Sequence, residues 1–224
     1  MSANNKLRVE LHLHTVYSKD SLLPLERMIE RAQELGLDRV AVTDHNEIEG
    51  ALAARKLAPD LIIVGEEIQT TIGELLGYFM TEKIPAGLPP EEVLRRLKDQ
   101  GAVISVAHPF DRRGSKLWQR EDLEAIAPHL DAAEAFNARC LTMEPNSKAN
   151  AFADEFGLAK AAGSDAHSAY EMGTATVTLP AFDSAETFRT ALRSAEIEGR
   201  LSSPHVRLIS RHAALSKKRK QQSD

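Results

Sequence analysis

With a single cysteine, Cys140, in 224 residues, the chain cannot close an internal disulfide and is compatible with a reducing compartment. No apolar stretch approaches the roughly 18 residues of a membrane-spanning helix. The opening residues, Met1 to Lys6, are polar and unlike a secretory leader. These absences set the expectation of a cytoplasmic protein with no membrane partner. Positive charge is also in short supply. The 28 lysines and arginines face 33 carboxylates, a net −5, which argues against bulk nucleic-acid binding by the main body. The exception is Lys217-Lys218-Arg219-Lys220. Residues 215–224 are expected to form a basic, disordered tail, with nucleic-acid contact as the sharper alternative. Residues 1–214 are long enough to bury a substantial core as one domain.

Apolar patterning alternates between strand and helix periods. Strand-like runs are expected at 7–11, 39–42, 61–64, 103–106, 132–136, 158–162 and 174–179. Residues 24–35 place Leu25, Met28, Ile29, Ala32 and Leu35 on one helical face, with Gly36 as the stop. Further helices are expected at 47–57, with Asn46 as its cap, and at 89–100, 122–127, 148–156 and 185–193. Residues 67–71 and 74–80 flank Ile72-Gly73 as a hairpin. Strand–helix alternation implies parallel pairing with right-handed crossovers. An α/β barrel fits better than an open sheet, because closure would gather polar residues from early, middle and late strand ends. The length is short for an eightfold barrel of ~250 residues, which points to fewer strands or trimmed helices.

Five of these runs end in metal-binding side chains: His12-Leu13-His14, Thr43-Asp44-His45, Gly65-Glu66-Glu67, Ala107-His108-Pro109 and Gly163-Ser164-Asp165-Ala166-His167. In extended backbone His12 and His14 share a face and can chelate one ion, and Asp165 and His167 repeat that geometry. Asp20 lies in the following loop, where capping the next helix is its ordinary use. Only one of Glu66 and Glu67 can face the site, and parity alone leaves both open. Asp44 is expected to orient an imidazole rather than bind an ion. His129, His205 and His212 lie outside these junctions and read as structural or solvated. Oxygen donors mixed with imidazoles suit zinc, manganese or iron(II). Their number exceeds what one tetrahedral ion needs, so two or three divalent ions sharing carboxylates are expected. Such ions activate water for attack on a tetrahedral centre. No Ser, Cys or Thr occupies a nucleophile motif, which favours water over a covalent intermediate.

These motifs, in this order across residues 9–168, resemble the PHP (polymerase and histidinol phosphatase) domain family. The resemblance implies a distorted (β/α)7 barrel with a di- or trinuclear centre at its C-terminal strand ends. It implies His12, His14, Glu67 and Asp165 around one ion, and Asp20, His45 and His167 around another. Glu67, as a bridge, and His108 would hold a third, which selects Glu67 over Glu66. Asn137 stands where some members supply a further histidine and is a weak candidate ligand. Asp20, His45 and His167 are expected nearest the reaction. Arg112, Arg113 and Arg139 are candidate cations for phosphate oxygens.

The implied function is a metal-dependent phosphoesterase. Its substrate would be a phosphate monoester: a small phosphorylated metabolite, a nucleotide or an oligonucleotide end. Two other readings stay open, a non-catalytic metal-binding regulatory module and an amidohydrolase-type C–N hydrolase. The latter class typically adds a carboxylated lysine, and no lysine lies at a candidate strand end. Trp118 either stacks a base or packs on the barrel, and packing is favoured.

Overall fold

The computed structural model describes residues 6–112 and 117–221. Nine strands among them form one sheet: β1 (Lys6–Leu13), β2 (Arg39–Val42), β3 (Ile62–Gln69), β4 (Glu74–Tyr78), β5 (Val103–Val106), β6 (Ala132–Asn137), β7 (Ala159–Gly163), β8 (Ala175–Pro180) and β9 (Glu196–Gly199). The helices are α1 (Leu25–Glu34), α2 (Glu49–Leu57), α3 (Pro90–Asp99), α4 (Arg120–Ile126), α5 (Met143–Phe156), α6 (Ala185–Leu192) and α7 (Val206–Gln221). No helix among the described residues is long and apolar enough to cross a membrane.

Strands β1 to β7 follow one another around the sheet in chain order. The circle nearly closes where β7 returns to β1. There Asp165 N donates to His12 O and His14 N donates to Ala166 O, both at 2.8 Å. The fold is thus the expected distorted (β/α)7 barrel. The distortion has two sources. The β3–β4 hairpin turns through Thr70–Gly73 and makes β4 antiparallel to both β3 and β5, so uniform parallel pairing does not hold. At the other end β8 pairs antiparallel with the first half of β1, through Lys6 to Val9, and carries β9 on its far edge.

Period-two alternation divides the apolar residues between two layers. Val40, Val42, Ile62, Val64, Ile104 and Val106 face outward, against Met28, Ala32, Ala54, Leu97 and Phe152 of the surrounding helices. Their neighbours Ala41, Ile63, Leu76, Val103 and Ala132 face inward with Val9 and Leu11. Phe188 of α6 joins this inner layer, 5.8 Å ring to ring from Tyr78, and helps plug the end where the strands begin. The other end is left to polar side chains.

Helix starts and stops follow local chemistry. Gly36 ends α1 with φ 64°, a left-handed conformation that glycine adopts without a Cβ penalty. Asn46 does not cap α2 as expected. Its backbone is itself left-handed at φ 54°, and its Oδ1 accepts from Gln69 N on β3 at 2.8 Å. Glu47 Oε1 takes over, accepting from Ile48 N and Glu49 N at 3.0 and 3.2 Å. Most of the expected basic tail is also ordered, as the end of α7. Val206 and Ala213 are buried, and Lys217 Nζ donates back to Val16 O and Ser18 O, so the helix is docked along its length. Trp118 packs, donating to Glu74 O at 3.3 Å.

Candidate metal centre

The bulged end of β1 delivers His12 and His14, both fully buried, to the mouth of the barrel. Their Nε2 atoms stand 3.1 Å apart. Around them Glu67 Oε2 lies 3.4 Å from His12 and 3.3 Å from His14, and Asp165 Oδ1 lies 3.2 Å from His14. Glu67 also reaches His45 Nδ1 and His108 Nε2, each at 2.9 Å. Asp20 Oδ2 sits between His45 Nε2, at 3.4 Å, and His167 Nε2, at 3.2 Å. Every residue of the three groups implied by the resemblance therefore converges here, with Glu67 shared. Glu66 points away, its Oε2 accepting from Ile84 N at 3.0 Å.

Two features show that this donor set fits divalent cations. Asp20 Oδ1 is buried without a hydrogen-bond partner among the described residues, and the buried Glu67 Oε2 has only the imidazoles around it; buried carboxylate oxygens need compensation. Protonation also redistributes as it does around missing positive charge. Burial disfavours charge on His12, His45 and His108, yet the carboxylates outweigh it. Glu134, Glu67 and Asp165 push His12 well above the usual imidazole range, Glu67 and Asp20 do the same for His45, and Glu67 raises His108 to about 10. His14 goes the other way, to about 3, through burial and then the neighbouring His167 and His45. Burial likewise opposes ionisation of Asp20, Glu67 and Asp165, but the imidazoles hold all three well below the carboxylate range. Divalent ions would replace the protons that these anions draw onto the rings.

A second layer of residues orients the first. Glu134, in the middle of β6, is 1% exposed, and its Oε1 lies 2.8 Å from His12 Nδ1. Its Oε2 accepts from His108 N at 2.8 Å and from Asn137 Nδ2 at 3.1 Å. A proton on His12 Nδ1 leaves the Nε2 lone pair aimed at the centre. Ser18 does similar work for His14, with its Oγ 3.1 Å from Nδ1 and donating to Asp44 Oδ1 at 2.9 Å. Asp44 thus acts through Ser18 and Thr15, not directly on an imidazole. Glu171 Oε2 accepts from His167 N at 3.1 Å, fixing the loop that carries Asp165 and His167. Asp165 and His108 hold left-handed backbone, φ 53° and 25°, at a cost of about 1–3 kcal/mol each. Gly163 keeps this corner tight: a Cβ there would overlap His12 Cβ and come 2.9 Å from Glu134 Oε1.

One expectation needs correction. Asn137 does not offer its oxygen to the centre: Oδ1 accepts from Arg139 N at 2.9 Å, while Nδ2 faces Glu134 and Asp165. A backbone N–H can only donate, so this orientation is fixed. Arg139 borders the centre, its Nη1 2.5 Å from His167 Nδ1, and also braces the surrounding loops. It is 10% exposed, donates to Ser210 Oγ at 2.7 Å, and lies 3.4 Å from Glu171 Oε1. Arg112 is exposed and adds its charge beside Glu144 of α5. Arg113 lies outside the described residues. Spacing and motif do not single out Glu134, Ser18 or Glu171. Nor do they single out Glu74, whose carboxylate groups with His45 and Glu67. The lone acid in the apolar run Ala132 to Phe136 was the available signal for Glu134.

Fold and site together define a barrel protein whose mouth gathers groups of side chains that could hold metal ions. The PHP domain model matches residues 10–127 and the PHP-associated model residues 143–197, and the chain belongs to the PHP domain family. An uncharacterized protein of Methanocaldococcus jannaschii is 38% identical over 177 residues, covering 76% of this chain and 70% of that protein. A two-domain protein of Bacteroides vulgatus, containing a predicted PHP-like metal-dependent phosphoesterase, superposes with a TM-score of 0.73 at 21% identity over 88% of this chain. This chain spans only 65% of that protein's length. PsfC of Pseudomonas syringae superposes with a TM-score of 0.70 at 20% identity, over 95% of this chain and 99% of its own. At these identities the two structures speak for the fold.

Proposed function

We propose that the chain is a metal-dependent phosphoesterase that hydrolyses a phosphate monoester, carried by a small phosphorylated metabolite, a nucleotide or an oligonucleotide end. The observation that carries this reading is the shared carboxylate: Glu67 lies within 3.4 Å of four imidazoles, those of His12, His14, His45 and His108. A donor arranged in this way suits neighbouring ions of a two- or three-metal centre. Bound divalent ions supply Lewis acidity and an acidified water to such a site.

The residues divide the work by depth. His12, His14 and Glu67 are sealed, at 0–1% exposure, and form the fixed floor. Asp20, His45 and His108 are 15–22% exposed and form the open side, where a phosphoryl group would arrive. Asp20 and the ring nitrogens beside it would hold an ion on this open side. His167 completes this group while its backbone N is pinned by Glu171.

The test is turnover of p-nitrophenyl phosphate, its diester and short RNA by metal-loaded protein. Monoester hydrolysis that is abolished by chelator and lost in a His12→Ala/His14→Ala double variant supports the reading. Stoichiometric metal with no hydrolysis across the panel would instead favour a regulatory module.

A further inference from the structure

Ten large apolar side chains are exposed among the described residues, and nine of them lie at the mouth end of the barrel. The loop after β1 supplies three, Tyr17 among them, and the turn from β6 into α5 supplies two. Tyr170 stands on the loop after β7, and α7 supplies the last three, including Leu208 and Leu215. Only Leu57, at the end of α2, lies elsewhere. Single exposed apolar residues are ordinary, but their concentration on one face marks an interaction surface.

Helix α7 ties this face together. Arg207 joins its first half to the loop after β6 by donating to Arg139 O, and Lys217 joins its second half to the loop after β1. Leu208 and Leu215 are seven residues apart, two helical turns, and share the outward side. Arg211 and Lys218, each three residues further on, are exposed beside them with the same spacing. Residues 206–221 hold six lysines and arginines and no carboxylate, in a chain of net charge −5. Leucines flanked by cations on one helix face match an interface where hydrocarbon lies beneath anionic headgroups. Exposed tyrosines such as Tyr17 and Tyr170 suit the headgroup level of that interface. Two other occupants fit less well. A two-fold copy would set one basic α7 against another, and single-stranded nucleic acid would leave the aliphatic side chains without a partner.

We propose that this face, crossed by α7, docks on an anionic lipid bilayer. The contact is peripheral, since no helix among the described residues is long and apolar enough to cross one. Leu208 and Leu215 enter the headgroup region, while Arg211 and Lys218 meet the lipid anions. The mouth of the barrel opens on the same face, and therefore towards the lipid. Lipid contact of this kind does not depend on the phosphoesterase reading.

The test sediments metal-loaded protein with vesicles of phosphatidylcholine alone and of phosphatidylcholine with about 30% phosphatidylserine. Partitioning onto the anionic vesicles is expected to be about tenfold stronger or more, and to weaken as salt is raised. A Leu208→Ser/Leu215→Ser variant with an unchanged melting temperature is expected to partition about tenfold less. So is an Arg211→Ala/Lys218→Ala variant. Leu57→Ser, at the far end of the barrel, is expected to stay within about twofold of the parent. Absence of partitioning onto either vesicle would overturn the proposal. So would unchanged partitioning in either double variant, or an equal fall in Leu57→Ser. A dimer in lipid-free solution that the leucine substitutions dissociate would assign the face to a second copy. Preference for poly-uridine over the vesicles would assign it to nucleic acid, and either result overturns the proposal.

Discussion

Glu134→Gln is the substitution whose consequence follows most directly from the geometry. The carboxylate serves three donors at once: His12 Nδ1 at 2.8 Å, His108 N at 2.8 Å and Asn137 Nδ2 at 3.1 Å. Glutamine offers one oxygen and one NH2 in the same space. If the oxygen faces His12, the NH2 confronts two donors. If the oxygen serves His108 and Asn137, the NH2 faces His12 Nδ1 and drives the proton onto Nε2, the atom that must bind the ion. Either arrangement forfeits a charge-assisted bond or the tautomer, about 1.5–3 kcal/mol. That corresponds to roughly ten- to hundredfold weaker affinity for the ion held by His12. Titration of manganese into chelator-stripped protein, followed calorimetrically, reads this number. Melting of the stripped variant shows whether the fold survives. Affinity within about twofold of the parent in a folded variant would refute the claim that Glu134 sets the His12 tautomer.

Other consequences can be checked separately. Gly163→Ala puts a methyl group into His12 Cβ and against Glu134, so it should lower the melting temperature and weaken ion binding together; a change in one alone contradicts the close packing. Glu66 is raised by burial to about 8, from an ordinary value near 4.5. Its folded state thus keeps a proton that the unfolded chain releases, and stability attributable to it falls as pH rises from about 4.5 to 8. Glu66→Gln should be nearly neutral at pH 5 and stabilising at pH 9, with an upper bound of about 5 kcal/mol. Denaturant melts of both proteins at the two pH values provide the comparison, and equal effects at both would count against it. Removing metal should lower stability, by about 2.7 kcal/mol relative to protein held at a hundredfold excess over Kd. An unchanged melt in chelator would deny that the ions bind only the folded state.

Much of the centre could be read from spacing, because β1 to β7 each deliver their C-terminal residues to a common mouth, apart from the reversed β4. His12 and His14 needed only extended backbone to share a face. What could not be read depends on pairs far apart in the chain. Glu134 and His12 are 122 residues distant and meet only because β7 closes against β1. Asn137 looked like a ligand by position, but a single backbone donor, Arg139 N, turns its oxygen away. The partners of Arg139 on the Glu171 loop and on α7 are likewise distant in sequence and left no signal in spacing. The end of α7 has the composition of a solvated tail. The helix is held by two buried side chains, Val206 and Ala213, and by carbonyls on the β1 loop, too few to leave a periodic signature.

Hydrolysis of a phosphate monoester, as proposed, depends on divalent ions held among the gathered imidazoles and carboxylates. The most direct measurement titrates manganese or zinc into stripped protein while recording bound metal and p-nitrophenyl phosphate turnover in the same samples. Turnover is expected to be absent without metal, to rise with occupancy, and to level off when two or three ions are bound. Full metal occupancy with no turnover, or turnover that persists in stripped protein, would contradict it.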